Sequence, residues 1–180
     1  DMKKNKDYIL HFDSIMSPEI CEEILEECKL LSFTPSTRPT PDGNYRSKDR
    51  KCHGVPLPKK FETHMFNGVN KILVEYAKKI EDFRMDNIQD TGYEILHYKS
   101  NEQGEFKSHV DHFDLYPRTL SISLLLNDDF EGGDFLFFND DHKAPKKQGG
   151  AVVFPSNFCF PHRVSPVIKN DRYSIITWIH

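Results

Sequence analysis

Apolar residues recur at helical spacing in two stretches of the first half of the chain and at near-alternate spacing in many short runs after residue 93. Ile20, Ile24, Leu25 and Cys28 make one helical face. Ser17 as N-cap, Pro18 at the first helical position and Glu19 in the first turn predict that this helix starts at 18 and runs to about 31. Phe61, Met65, Val69, Ile72, Leu73 and Tyr76 predict a second helix over about 59–80. Farther on, β-type runs between turn signals predict strands at 93–99, 106–111, 119–127, 134–138, 151–154, 160–164 and 172–179. So many short strands suggest a sandwich or barrel, and the double-sheet jelly roll is one standard way of protecting the edges. The expected fold is therefore mainly β, with the N-terminal helices packed on one outer sheet face. Most of the 14 Phe are expected to fill its core.

Between the two helices lies a stretch, 33–58, in which Pro35, Pro39, Pro41 and Gly43 argue against regular structure. It carries Arg38, Arg46, Lys48, Arg50 and Lys51 against Asp42 and Asp49. A connector of this length is expected to be either a functional lid or disordered. The acidic turns around Asp128, Glu131 and Asp141 read as solvated faces.

Length and composition fit one enzyme domain, 1–180, with about 1–90 as helical support and lid and about 91–180 as the catalytic core. A chain of 180 residues, 37% hydrophobic, can bury one substantial core. The net charge of −4 gives no global reason to expect nucleic acid as a partner. Cys21, Cys28, Cys52 and Cys159 form no Cys-x-x-Cys pair, so neither a zinc site nor a disulfide scaffold is indicated. Cys21 and Cys28, one heptad apart, are expected to pack as small apolar groups. No segment is long and apolar enough to span a membrane. Asp1 before Met2 reads as an expression remnant, and no apolar signal core follows Lys6, so a reducing cytoplasm is expected.

The candidate chemistry lies in the second half. Two imidazoles and one carboxylate are the facial triad of a non-haem Fe(II) oxygenase, which leaves positions open for a cosubstrate and O₂. His-x-Asp pairs occur at His11/Asp13, His109/Asp111 and His112/Asp114, with His162 as the distant third ligand. On the strand predicted over 106–111, His109 and Asp111 share a face and can point at one ion; the same geometry fits His112 and Asp114. His11, just ahead of a helix start and far in sequence from any partner, reads as structural. Arg172 and Ser174 follow His162 and supply a fork and a hydroxyl for the far end of a dicarboxylate.

Tyr98, His109-Val110-Asp111, Gly132-Gly133-Asp134, the run Gly149 to Pro155, and His162 followed by Arg172-Tyr173-Ser174 together resemble the 2-oxoglutarate/Fe(II) dioxygenases of the prolyl 4-hydroxylase type, in a bacterial or viral-like branch. The likeness covers residues 91–180 in order. It implies metal ligands at His109, Asp111 and His162, with 2-oxoglutarate held by Arg172, Ser174 and Tyr98. It also implies Fe(II), 2-oxoglutarate and O₂ as cofactor and cosubstrates, with ascorbate as an optional reductant. The implied reaction hydroxylates a peptidyl residue, proline first, releasing succinate and CO₂. Many collagen-type members carry Lys where this chain has Arg172.

Two alternatives stay open at this point. One is a hydroxylase of a free amino acid or small metabolite; the other is a cupin-like metal-binding protein, which has no need of Arg172 and Ser174. A nucleic-acid demethylase of the same superfamily is disfavoured, because its second arginine is replaced here by Trp178. A partner-binding pseudoenzyme is disfavoured by the intact triad.

Overall fold

The computed structural model describes residues 4–40, 42–45, 47–84 and 86–180. Its first half runs β1 (Leu10–Phe12), α1 (Pro18–Cys28), β2 (Thr34–Pro35), β3 (Arg38–Thr40), β4 (Gly43–Tyr45), β5 (Arg50–Lys51), β6 (His53–Pro56) and α2 (Lys59–Lys79). Then come β7 (Glu94–Tyr98), β8 (Glu105–His109), β9 (Leu120–Leu125), β10 (Glu131–Gly132), β11 (Phe135–Phe137) and β12 (His142–Lys143). The chain closes with β13 (Ala151–Pro155), β14 (His162–Val164), β15 (Val167–Lys169) and β16 (Arg172–Ile179).

Two antiparallel sheets carry the fold, a jelly roll with helices on one outer face. The major sheet has the order β1-β13-β9-β16-β7-β6-β2, and the minor sheet β12-β11-β14-β8-β5. Period-two alternation decides what each strand face meets. Leu120, Ile122 and Leu124 of β9 and Ile175 and Ile179 of β16 bury against Ile24 of α1 and Met65, Val69 and Ile72 of α2. Each such side chain contributes roughly 1.5–3 kcal/mol when fully buried. The opposite face looks into the space between the sheets, where Leu96, Tyr98, Phe130, Val164 and Val167 pack together. A second apolar group there, Phe137, Phe154 and Phe160, closes the other end.

Both helices lie where their patterns predict, and Ser17 Oγ accepts the Ile20 N–H as the N-cap of α1. Cys21 and Cys28 are buried free thiols, packed with that apolar face. Several expectations need correction. The stretch 33–58 is not a structureless connector: β2 and β6 join the major sheet, β5 joins the minor one, and β3 and β4 form a hairpin. Pro35 and Pro39 are tolerated because β2 is an edge strand and β3 has one neighbour, so their missing N–H groups break no central ladder. Pro41 and Arg46 lie outside the described residues. The strand predicted over 106–111 stops at His109, so Asp111 stands in the turn beyond it. The strand predicted from 160 begins only at His162.

The Gly149-Gly150 pair ties the N-terminal segment to the major sheet. Gly149 donates its N–H to the Leu125 carbonyl at 2.8 Å and accepts from the Ile15 and Met16 N–H groups at 2.8 and 3.1 Å. It does so at φ +78°, and a Cβ there would run into the Met16 carbonyl oxygen. Gly149→Ala should therefore cost roughly 2–4 kcal/mol, combining the left-handed penalty with a backbone clash. Gly92, at φ +84° with open space around it, should cost only about 1–2 kcal/mol when changed to Ala. Denaturant midpoints of the two variants check this; equal losses would contradict the account.

Candidate functional site

Adjacent strands of the minor sheet bring the two histidines together. His109 ends β8 and is the register partner of His162 at the start of β14. Their rings lie 4.3 Å apart between centroids. Asp111 arrives from the turn after β8, where its own N–H and that of His112 both donate to the Ser156 carbonyl, at 3.2 and 2.9 Å. This turn, rather than a shared strand face, aims the carboxylate. The result is that Asp111 Oδ1 lies 3.3 Å from His109 Nε2 and 3.3 Å from His162 Nε2. The three donor atoms lie within 4.8 Å of one another, and among the described residues no other group of three or more such side chains gathers this way.

Hydrogen bonds fix which atoms face inward. His109 Nδ1 lies 2.7 Å from the Lys107 carbonyl oxygen and His162 Nδ1 lies 3.0 Å from that of Phe160. A carbonyl only accepts, so both Nδ1 atoms carry hydrogen and both Nε2 lone pairs can point at the Asp111 oxygen. Two lone pairs facing a carboxylate oxygen require a cation between them, a proton or a metal ion. The donor set fits Fe(II): two neutral imidazoles, one carboxylate, and outer partners on every ligand. Those partners on Asp111 are Ser121 Oγ, donating to Oδ2 at 2.6 Å, and Trp178 Nε1, donating to it at 3.1 Å. Ser156 Oγ, 2.8 Å from Ser121 Oγ, extends the chain. Phe106 stacks on His109 and Phe135 on His162.

The pKa directions follow from this sharing. Burial pushes the Asp111 carboxyl up, but the two imidazoles outweigh it and hold it well below the usual range. Burial depresses His162 too, yet the adjoining carboxylate wins and raises it. At His109 burial wins, helped by repulsion from His162, and its pKa is lowered.

Arg172 begins β16 opposite Tyr98 of β7. It is 2% exposed. Its Nε donates to the Gly133 carbonyl at 3.1 Å and its Nη1 to Ser174 Oγ at 3.2 Å. The Tyr98 and Phe130 rings lie 5.1 and 5.8 Å away. Among the described residues no carboxylate pairs with it; the nearby Asp134 is engaged by Lys143 and Lys146 at 3.1 and 3.4 Å. Burial lowers the Arg172 pKa, with Tyr98 the main opposing influence, and burial pushes the Tyr98 phenol up. Gly133, at φ +60°, makes room: a Cβ there would press on Arg172 Cδ at 3.1 Å. A buried guanidinium lacking a counter-ion is a cradle for an anion. Ser123 and Phe135 line both the metal-side cavity and the one that reaches Arg172, so the two adjoin.

Outside this inner space lies a groove of about 490 Å³ over His109 and Asp111, lined also by Arg38, Arg50, Arg118, Phe113 and Trp178. His112 and Asp114 line it too, away from the three-ligand cluster. His11 sits elsewhere, on β1, with its Nε2 2.9 Å from His142 Nε2. Sequence reasoning missed Ser121, Ser156 and Arg118 as site residues. Ser121 and Trp178 were open to detection, since strand alternation puts Ser121 and Ser123, and then Ser174, Ile176 and Trp178, on the face away from the helices.

The family model for the 2OG-Fe(II) oxygenase superfamily matches residues 93–180. A PKHD-type hydroxylase of Psychrobacter sp. (strain PRwf-1) is 30% identical over 86 residues, 46% of this chain and 32% of that protein. The chain spans a third or less of the length of the curated relatives it matches. Among solved structures, the viral collagen prolyl hydroxylase of Paramecium bursaria Chlorella virus-1, bound to 2OG, superposes with a TM-score of 0.73 at 16% identity, covering 96% of this chain and 95% of that one. A prolyl hydroxylase of Trichoplax adhaerens, in complex with a hypoxia inducible factor peptide fragment, also gives 0.73 at 16% identity, over 97% and 84%. These likenesses agree on the fold. With His109, Asp111 and His162 in order inside the matched span, residues 93–180 of this chain are similar to the 2OG-Fe(II) oxygenase superfamily.

Proposed function

We propose that this chain is an Fe(II)- and 2-oxoglutarate-dependent dioxygenase that hydroxylates a peptidyl residue, with proline the first candidate. The observation that carries the reading is the single Asp111 oxygen held 3.3 Å from two inward-facing Nε2 atoms. His109, Asp111 and His162 would hold the iron. Bound there, it would couple oxidative decarboxylation of 2-oxoglutarate, to succinate and CO₂, with insertion of an oxygen atom from O₂ into a substrate C–H bond. The chain's own residues bind, orient and exclude water. Arg172 and Ser174 would take the far carboxylate of the cosubstrate, Tyr98 would pack beside it, and Phe106 and Phe135 keep the imidazoles in place and dry. Prolyl hydroxylation is supported by the likeness to prolyl hydroxylases, one of them bound to a peptide, and by the outer groove of about 490 Å³ over His109 and Asp111. Residues 1–90 would act as support and lid for the 91–180 core in one catalytic unit. Four free thiols fit a reducing cytoplasm, and no helix among the described residues is long and apolar enough to cross a membrane.

The direct test is succinate release from 2-oxoglutarate with Fe(II), with and without proline peptides, and with ascorbate present or omitted. Peptide-stimulated succinate supports the reading. Stimulation only by a free amino acid would move the substrate class to small metabolites.

The ligand assignment is checked by metal titration. His109→Ala, Asp111→Ala and His162→Ala should each weaken Mn(II) or Fe(II) binding and abolish turnover, while His11→Ala, His112→Ala and Asp114→Ala retain both. Metal must displace the His162 proton. Because that pKa is raised above 6.5, competition begins at a higher pH than for an ordinary imidazole, and affinity should fall as pH drops through that region. Activity lost in Asp114→Ala but kept in Asp111→Ala would put the ligands in the other register.

Arg172→Ala should weaken 2-oxoglutarate binding by roughly 3–5 kcal/mol, the cost of a broken buried pair, or about a hundred- to a few thousandfold. Arg172→Lys should lose less. Calorimetry of the metal-loaded protein checks this, and unchanged affinity in the alanine variant would remove the anchor.

The β3–β4 hairpin flanks the outer groove through Arg38 and is the segment suited to act as a lid. Replacing residues 39–45 by a Gly-Ser linker spares β5 in the minor sheet. The expected result is loss of peptide-stimulated succinate with cosubstrate affinity intact. Full peptide activity would show that the hairpin only connects.

A further inference from the structure

We infer that the outer groove selects peptides carrying an acidic side chain close to the residue to be hydroxylated, and that Arg50 is the residue that reads it, assisted by Arg118. The inference rests on the peptide-hydroxylase reading and names the substrate class for the same site. Arg50 stands where the inner cavity and the outer groove meet, since both are lined by Arg50, Phe106, His109, Asp111 and Trp178. It is half-buried. Its guanidinium is held by neutral partners only: Nε donates to Cys52 Sγ at 3.4 Å, Nη1 to the Thr37 carbonyl at 3.1 Å, and the Phe106 ring lies 4.8 Å beneath.

Arg118 approaches from the opposite wall. Its guanidinium lies 3.6 Å over the Trp178 ring, its Nη1 donates to the Asp111 carbonyl at 3.1 Å, and its buried Nε has no partner. Arg38 adds a third positive charge at the rim. Among the described residues none of the three forms an ion pair with a carboxylate. Asp111 attracts Arg118 and Glu94 attracts both Arg50 and Arg118, but no salt bridge joins either carboxylate to these arginines. Of the five basic residues in the 33–58 stretch, Lys51 pairs with Glu105 at 3.7 Å and Arg46 lies outside the described residues; only Arg38 and Arg50 line the groove. The positive charge of the groove therefore comes from two walls, and half-buried guanidinium groups with no carboxylate in ion-pair contact favour one that arrives with the substrate.

The spacing limits where that carboxylate sits. Phe106 stacks on His109 at 3.5 Å, so Arg50 is one ring beyond a proposed iron ligand. An extended chain advances about 3.5 Å per residue, which puts the acid within about three residues of the reacting one. A peptide suits the groove better than a nucleic acid: Asp114 shares its lining, Leu115 presents an exposed apolar rim, and the chain's net charge is −4.

The test uses the Mn(II)-loaded protein with 2-oxoglutarate, which binds without turnover, and fluorescein-labelled Ala/Gly peptides with one central proline and a single Glu or Gln at each nearby position. Fluorescence anisotropy should find a Glu peptide that binds about ten- to a hundredfold tighter than its Gln counterpart, with the difference shrinking as salt rises. Arg50→Gln should bring the pair to within about twofold. Arg50→Glu should reverse the preference toward a Lys peptide, a gain that a misfolded variant could not produce. Equal binding of every Glu and Gln pair to the unaltered protein, with succinate release from both under Fe(II), would overturn the inference and leave the peptide-hydroxylase reading standing. Tighter binding of a single-stranded oligonucleotide than of any peptide would overturn it as well. So would a fall in 2-oxoglutarate affinity in Arg50→Gln with the Glu preference unchanged, which would assign Arg50 to the cosubstrate. Binding and turnover of no peptide would overturn both readings together.

Discussion

Asp111 Oδ1 faces two imidazole nitrogens at 3.3 Å each, and this shared oxygen is the constraint around which the rest of the structure is arranged. A carboxylate placed between two lone pairs is unfavourable without a cation. The protein nevertheless holds the arrangement from every side: two carbonyls set the imidazole tautomers, Ser121 and Trp178 occupy the other carboxylate oxygen, and Ser156 fixes the turn. Each contact would be wasted on a solvated aspartate. Together they describe a site whose donor set fits a cation, as the proposed iron-binding role requires.

The two sheets make this possible by dividing labour along each strand. One face of β9 and β16 is spent on the helices, which supply most of the burial. The other face carries Ser121, Ser123, Arg172, Ser174 and Trp178, polar groups that a core would not otherwise accept. A buried Arg172 with neutral partners and a three-ligand cluster with an open side are both costly alone. Under the proposed function, a dicarboxylate spanning from one to the other would remove both costs, and the two do lie on adjoining cavities lined by Ser123 and Phe135.

Much of the fold was legible in the chain. Ser17-Pro18 marked α1 because capping chemistry is local, and the spacing from Phe61 to Tyr76 marked α2 because helical periodicity needs no partner. The longer strands were readable from alternation. Two-residue strands such as β2, β5, β10 and β12 were not, because they contain too few positions to show a period and exist only through their neighbours. In the site, residue types pointed to two imidazoles, a carboxylate and an arginine, but spacing alone left His109/Asp111 and His112/Asp114 equivalent. Resemblance chose between them, and the turn held by Ser156 brings Asp111 to the two imidazoles. Arg118 carried no sequence signal at all: its position over Trp178 depends on where a loop folds back.

The proposed function requires one dicarboxylate to bridge a metal on His109, Asp111 and His162 to the guanidinium of Arg172. A crystal structure with Mn(II) and 2-oxoglutarate tests it most directly. The predicted result is Mn(II) on those three side chains, with the far carboxylate of 2-oxoglutarate on Arg172 and Ser174. Metal bound by His112 or Asp114, or 2-oxoglutarate seated in the outer groove on Arg50 and Arg118 with Arg172 untouched, would contradict it.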